Sequence, residues 1–447
     1  MWPPVIRAAT VKPLAGDCAY MPGQADRIAG ASSLAPAIDL AAEAINDAVI
    51  AWRRDLHQHP ELGNREFRTA SIVAGHLRQL GFDEVRTGVA HTGVIGLLKG
   101  GLPGPVVALR ADMDGLPVRE QVDLPFASKA VGEWNGEPVG IMHACGHDCH
   151  VAILMGVAQI LAGLRAQLNG SVKFIFQPAE ELPPAGEDGG AKMMIAEGAL
   201  ENPTPRAIFG LHVTSRLPTG VLGYRPGPTM ASSDTLKITI EGRQTHGAAP
   251  WAGVDPIVTA AQVVLGLQTI VSRTQDLTRE PAVVTIGTIR GGVRENIIPD
   301  SVEMRGTIRS FDEDMRDDIH ERVTTLAQAV SRGSRAGCQV CITKSYPVTV
   351  NDPALTAAML PTLQRVAGER LELIPKVTGA EDFSFFQRLI PGVFFFIGVT
   401  APGTDPKAAA PNHSPRFLVD EAGLQLGVRA LAHLTCDWLE KSVQNSA

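Results

Sequence analysis

The stretch "HACGHDCH", residues 143–150, gathers three imidazoles and two thiols, side chains that bind metal ions when several converge. Cys145 and His147 are two apart, whereas neighbours on a helix face are three or four apart. The pair is therefore expected in a loop, with Asp148 placed to cap the apolar helix that follows. His143 and His150 are expected to hydrogen-bond structurally rather than ligate. Further on, "FIFQPAEE" reads as a buried strand that breaks at Pro178 and delivers Glu180 and Glu181 into a loop. Two adjacent carboxylates suit a division of labour in metal-assisted hydrolysis, one holding metal while the other takes and returns a proton. A solvated acidic loop is the plain alternative. "AIFGLHV" sets His212 after another apolar run, and "PNHSPRF" puts His413 in a polar loop.

Each histidine alone is unremarkable as a core or surface residue. As a set, Cys145, His147, Glu181, His212 and His413 all fall at strand or loop ends of one α/β pattern. Thiolate, imidazole and carboxylate together favour zinc or a similar divalent transition metal over magnesium or calcium. Five ligands exceed one tetrahedral shell, which points to two ions sharing a ligand.

The elements that must position these residues follow from hydrophobic spacing. A helical pattern over residues 38–80 leads into the short buried strands "TGVIGLLKG" and "GPVVALRAD", and "VAILMGVAQILAGL" sets Val151, Leu154, Ala158 and Leu161 on one helical face. Strands alternating with helices predict an α/β layer structure with its functional loops at strand ends. After the Gly/Pro-rich "GYRPGPTMASS" the texture changes. "DTLKITIEG" alternates Leu236, Ile238 and Ile240 as a half-exposed strand does, and a β-α-β-β-α-β order follows, the ferredoxin-like arrangement. Asp255 and Pro256 are placed to start its first helix. The α/β pattern resumes beyond Tyr346. The expected organisation is an extension without order over 1–44, a discontinuous α/β metal-binding domain over 45–226 and 345–447, and an inserted domain over 227–344.

At 447 residues, 45% apolar and 19% charged, the chain has the length of two domains and an ordinary globular composition. A net charge of -7 without a Lys/Arg cluster gives no footprint for nucleic acid. Six cysteines are too sparse for a disulfide scaffold and fit a reducing compartment. The N-terminal residues lack the pattern of a secretory signal, and no apolar run suggests a membrane span. A cytoplasmic protein is expected.

"LHQHPEL", "ALRADMDGLPV", "MHACGHDCHVAILMG", "FIFQPAEE", "THGAAP", "ENIIPD", "GAEDF" and "PNHSPRF", in this order, resemble the amidohydrolase branch of the aminoacylase and carboxypeptidase metallopeptidases. Hippurate hydrolases, indoleacetyl-amino-acid hydrolases and N-acyl-amino-acid deacylases belong to that branch. The resemblance runs over about residues 45–440. It implies a discontinuous α/β di-metal hydrolase with an inserted ferredoxin-like dimerisation domain, hence a homodimer or dimer of dimers, acting on N-acyl amino acids with two ions of zinc, manganese, cobalt or nickel. By motif position, Cys145 would bridge the ions and His147, Glu181, His212 and His413 would complete their ligation. Glu180 would be the general base, and Asp112 would orient a ligand from behind. His246 of "THGAAP" would reach the partner subunit's site and stabilise the oxyanion, and Asn296 of "ENIIPD" would help hold the substrate carboxylate. The chain departs from the resemblance at "LPPAGEDGG", where many relatives carry a glycine-rich run, which opens the question of substrate. A metallo-carboxypeptidase or dipeptidase with the same centre is the alternative, and a non-catalytic metal-stabilised binding protein a second. Cys338-x-x-Cys341 has redox spacing but lies on an expected strand without a partner pair. His57 and His59 belong to the resemblance without a derived role, and Phe383, Phe385 and Phe386 are expected in the core.

Overall fold

The computed structural model describes residues 32–181 and 183–444. Its larger sheet has eight strands in the order Glu84–Val89, Gly93–Lys99, Asn169–Gln177, Leu102–Asp112, Ala207–Pro218, Gly392–Thr400, Leu222–Tyr224, Leu371–Leu373. The four central strands, from Asn169–Gln177 to Gly392–Thr400, run parallel. Their carboxyl ends therefore share one edge, where an open α/β sheet places its ligand loops. Asp112 pairs in register with Gln177 at that edge, so both chains leave the sheet together.

The helix after "HACG" is His147–Gly163, and every residue from His147 to Leu161 except Gln159 is buried. One apolar face was expected. The helix is covered all round because it lies between the sheet and the helices Asn46–Gln58 and Leu424–Gln444, which explains its almost continuous apolar run. The expected disordered extension over 1–44 also needs correction. Ala35–Ala44 is a helix with Ile38 and Ala42 buried, and the Ser32 amide donates to Asp437 at 2.7 Å. Residues 1–31 of that expectation lie outside the described residues.

The second sheet is antiparallel, ordered Ala282–Gly291, Ser301–Ser310, Asp234–Glu241, Gly337–Lys344. With the helices Pro256–Thr269 and Glu313–Gly333 it gives the expected β-α-β-β-α-β arrangement. Leu236, Ile238 and Ile240 point inward to a core of its own with Val263, Leu267, Met304, Ile319 and Val323. The Asp255 carboxylate accepts the amides of Ile257 and Val258, capping the first helix as predicted. That helix continues through a π-turn, so that Pro256–Thr274 is a 19-residue apolar run with mean hydropathy 1.2. The sequence reading saw no run of this length. Part of its apolar surface packs into the core, through Ala260, Val263 and Leu267, while Ile257, Val258 and Leu265 are exposed.

Two chain segments join this unit to the larger sheet, and they are stitched to each other. The amide of Ser233 donates to the Tyr346 carbonyl at 2.9 Å and that of Ser345 to the Ser233 carbonyl at 3.0 Å. The Gly/Pro-rich stretch is partly a strand, Gly227–Met230, paired with Thr349–Asn351.

Candidate metal centre

At the shared sheet edge, side chains from four segments meet. The Cys145 sulfur lies 3.3 Å from His212 Nε2 and 3.3 Å from His413 Nε2, and His413 Nε2 lies 2.8 Å from Glu181 Oε1. The potential donor atoms of Cys145, His147 and His212 lie within 4.8 Å of one another, as do those of Cys145, Glu181 and His413. Cys145 is common to both groups. All five sequence-predicted ligands thus come together, although their segments span nearly 270 residues.

Local chemistry aims each donor. His212 Nδ1 lies 2.6 Å from the Val213 carbonyl, a contact that places the ring proton on Nδ1 and leaves the Nε2 lone pair toward Cys145. His212 was expected at a strand end, but the strand Ala207–Pro218 continues past it. The neighbouring strand Leu102–Asp112 pairs only as far as Gly210, so His212 faces the open edge even though its own strand goes on. His413 adopts a left-handed backbone, φ 72°. Its amide donates to the Ala144 carbonyl at 2.8 Å, and Asn412 Nδ2 donates to the carbonyls of Cys145 and Val213. Three ligand segments are fastened through that one amide side chain.

Asp148 does not cap the helix. The helix begins at His147, Gly146 precedes it in a left-handed conformation, and Asp148 lies buried within the first turn. Its carboxylate instead accepts from Arg53 Nε at 2.8 Å and meets His57 Nδ1 at 2.9 Å. A buried arginine needs an anion more than a helix end needs a cap, and this gives His57 the role that the sequence did not supply. His150 is structural as expected: Nδ1 donates to Asp112 at 2.5 Å and Nε2 accepts the Val213 amide at 2.9 Å. His143 departs from expectation, being buried with neither ring nitrogen hydrogen-bonded among the described residues.

The residue behind His147 is Asp114 rather than Asp112. Asp114 Oδ1 lies 3.1 Å from His147 Nδ1, and its other oxygen accepts the Glu181 amide at 2.9 Å. Asp112 stands behind His150 and pairs with Arg110 at 2.7 Å. The sequence reading missed Asp114, Asn412 and the buried Arg110, whose guanidinium also meets Glu381 and Asp382. A signal for Asp114 existed, since residues two apart leaving a strand share a side and "RAD" and "DMD" repeat that spacing. His246 and Asn296 lie in the inserted unit, in and beside a small exposed two-stranded ribbon where the Gly247 amide donates to the Asn296 carbonyl. No hydrogen bond or ion pair joins either side chain to the five ligands among the described residues.

These donors fit a pair of divalent ions. His147 Nε2 is buried without a hydrogen-bond partner, and its closest carboxylate oxygens, on Asp112 and Glu180, are 3.8 Å away. Burial opposes charge on His147, yet Asp112 and Asp114 outweigh it and push its pKa up to about 10. The cluster therefore draws positive charge. Burial, with Glu181 and Glu180 beside it, raises the Cys145 thiol well above its ordinary range, so a cation is required to hold the thiolate. His212 is held neutral by burial and by His150, the form that ligates. Burial first, then Glu381 and Glu181, raises the Glu180 carboxyl well above the usual range, in the direction a proton carrier needs.

Residues 108–437 match Peptidase family M20/M25/M40. Thermostable carboxypeptidase 1 of Saccharolobus solfataricus is 42% identical over 392 residues, 87% of this chain and 94% of that protein. N-acetylcysteine deacetylase of Bacillus subtilis is 37% identical over 401 residues, 90% of this chain and 99% of that one. Among solved structures, a dinuclear metal-binding M20 peptidase from Bacillus subtilis superposes with a TM-score of 0.74 at 36% identity, covering 89% of this chain and 99% of that one. With a site of this composition on this fold, the chain belongs to peptidase family M20/M25/M40, as a metal-dependent hydrolase of amide bonds in its amidohydrolase branch.

Proposed function

We propose that the chain hydrolyses N-acyl amino acids to a carboxylic acid and a free amino acid. The observation that carries this reading is the geometry around Cys145, common to two donor groups, with the Glu180 carboxylate beside them, 3.8 Å from His147 Nε2. Cys145, His147, Glu181, His212 and His413 would hold two divalent ions of zinc, manganese, cobalt or nickel, Cys145 serving both. Such ions supply Lewis-acid polarisation of the scissile carbonyl and acidify the attacking water. Glu180 takes the proton of that water and returns it to the leaving nitrogen, a contribution of roughly 100-fold to 10,000-fold. Asp112 and Asp114 hold His150 and His147 in their tautomers from behind.

The inserted unit, residues 227–344, completes the site by pairing two copies. His246 of the inserted unit serves the oxyanion in the other copy's site, and Asn296 beside it takes the substrate carboxylate. The exposed Ile257, Val258 and Leu265 and the edge strand Ala282–Gly291, with Val283 and Ile289 exposed, supply an apolar surface and unpaired backbone for such a contact. The five described cysteines are free, which supports a reducing compartment. The deacetylase relative supports the N-acyl substrate class. The carboxypeptidase relative favours the alternative, peptide cleavage at the same centre. Metal-loaded protein assayed on N-acetyl, N-benzoyl and indoleacetyl amino acids beside simple dipeptides separates them, and faster turnover of the dipeptides would overturn the N-acyl reading. Glu180→Gln should abolish turnover on every substrate while retaining both ions. An active variant would remove Glu180 from its role.

A further inference from the structure

We propose that Tyr346 is a positioning residue for Glu180, clamping the peptide that separates the base from the ligand Glu181. The proposal rests on the reading of Glu180 as the base. The Tyr346 hydroxyl donates to the Glu180 carbonyl at 2.6 Å, and no other hydrogen bond reaches that carbonyl among the described residues. The opposite end of the same peptide is the Glu181 amide, held by Asp114 at 2.9 Å. One residue earlier, the Ala179 amide donates to the buried Glu66 at 2.8 Å, and Ala179 has φ 52°. An alanine in the left-handed region is strained and persists only where its surroundings enforce it. Three contacts enforce it here, from Glu66 just before the helix Phe67–Gln79, from Asp114 just after a sheet strand, and lastly from the Tyr346 hydroxyl.

That contact belongs to the chain returning from the inserted unit. The Tyr346 carbonyl accepts the Ser233 amide of the outgoing segment, and its ring meets Phe385 edge-on with centroids 6.1 Å apart. Tyr346 also borders a cavity of about 380 Å³ between the two units, lined in part by Lys192, Lys344 and Arg388. With open space on that side, the hydroxyl bond rather than close packing fixes the peptide. Asp114 would still hold Glu181 and His147 without the hydroxyl, so the metal ligands stay in place while the aim of Glu180 loosens.

The test is Tyr346→Phe, which removes one oxygen and keeps the ring. The expected result is a loss of kcat of roughly tenfold to a hundredfold, the scale on which displacing a reacting group by about 1 Å acts. KM, the two bound ions and the melting temperature should be unchanged. Full kcat would overturn the proposal, as would a loss confined to KM or one accompanied by lost metal or lowered melting temperature. Glu180→Gln assayed beside it separates the two ideas. An inactive Glu180→Gln with a fully active Tyr346→Phe dismisses the clamp alone, and an active Glu180→Gln removes the reading on which the clamp depends.

Discussion

Asp114 serves two proposed ligands with one carboxylate, orienting the His147 ring and fixing the Glu181 amide. Replacing it by asparagine leaves one accepting oxygen in place of two and removes the charge that favours Nδ1 protonation of His147. Asp114→Asn should weaken metal binding about 10-fold to 100-fold, read by competition with a chelator; unchanged affinity would show that the ligands are held by other means. His57 offers a pH test. Burial opposes its protonation, but Asp148 and then Glu120 outweigh burial and raise its pKa above 6.5. Its stabilising contribution is complete below pH 6.5 and is lost as pH rises through the raised folded value. His57→Gln should therefore flatten that alkaline decline in melting temperature of the metal-loaded protein, and a parallel curve would contradict the assignment. At this scale the convergence of Cys145, His147, Glu181, His212 and His413 was legible because cysteine, histidine and paired glutamates are conspicuous at strand ends. Asp114, Asn412 and Tyr346 were not, because a carboxylate, an amide or a phenol gains meaning only from the backbone group it touches.

Elements were legible where one periodicity ruled. Leu236, Ile238 and Ile240 alternate and are buried together, and Asp255 caps where it was expected to. Legibility failed where a tertiary partner outbid a local preference: Arg53 claims Asp148, and the His147 helix is wrapped on all sides so that no single face could be read. Gly146 makes the entry to that helix possible. It has φ 94°, and an added Cβ would lie 2.3 Å from Val213 Cγ2. Gly146→Ala should cost about 1–3 kcal/mol or more in denaturant unfolding and should weaken metal binding, because Cys145 and His147 flank it. A variant as stable as the parent would mean that the loop relaxes without moving either ligand.

Across the whole molecule, the α/β layer and the β-α-β-β-α-β arrangement were visible in the sequence because the change from buried runs to alternation is abrupt after residue 233. The stitching of the two units through Ser233, Ser345 and Tyr346 was not visible, since backbone hydrogen bonds leave no mark on residue type. In the proposed pairing, two copies associate through the exposed apolar surface of Pro256–Thr269 and its neighbouring edge strand. Leu265→Glu should then shift the protein toward monomer in sedimentation and lower activity without releasing metal, because in the proposed pairing His246 of one copy serves the site of the other. A monomer with full activity would dismiss the role of the second copy.

The most direct measurement is anomalous diffraction at the metal edge from crystals of the metal-loaded protein. The account predicts two ions per chain, each at a bonding distance of about 2.3 Å from the Cys145 sulfur, with Glu180 ligating neither. A single ion, or two ions of which one lies beyond reach of that sulfur, would contradict it.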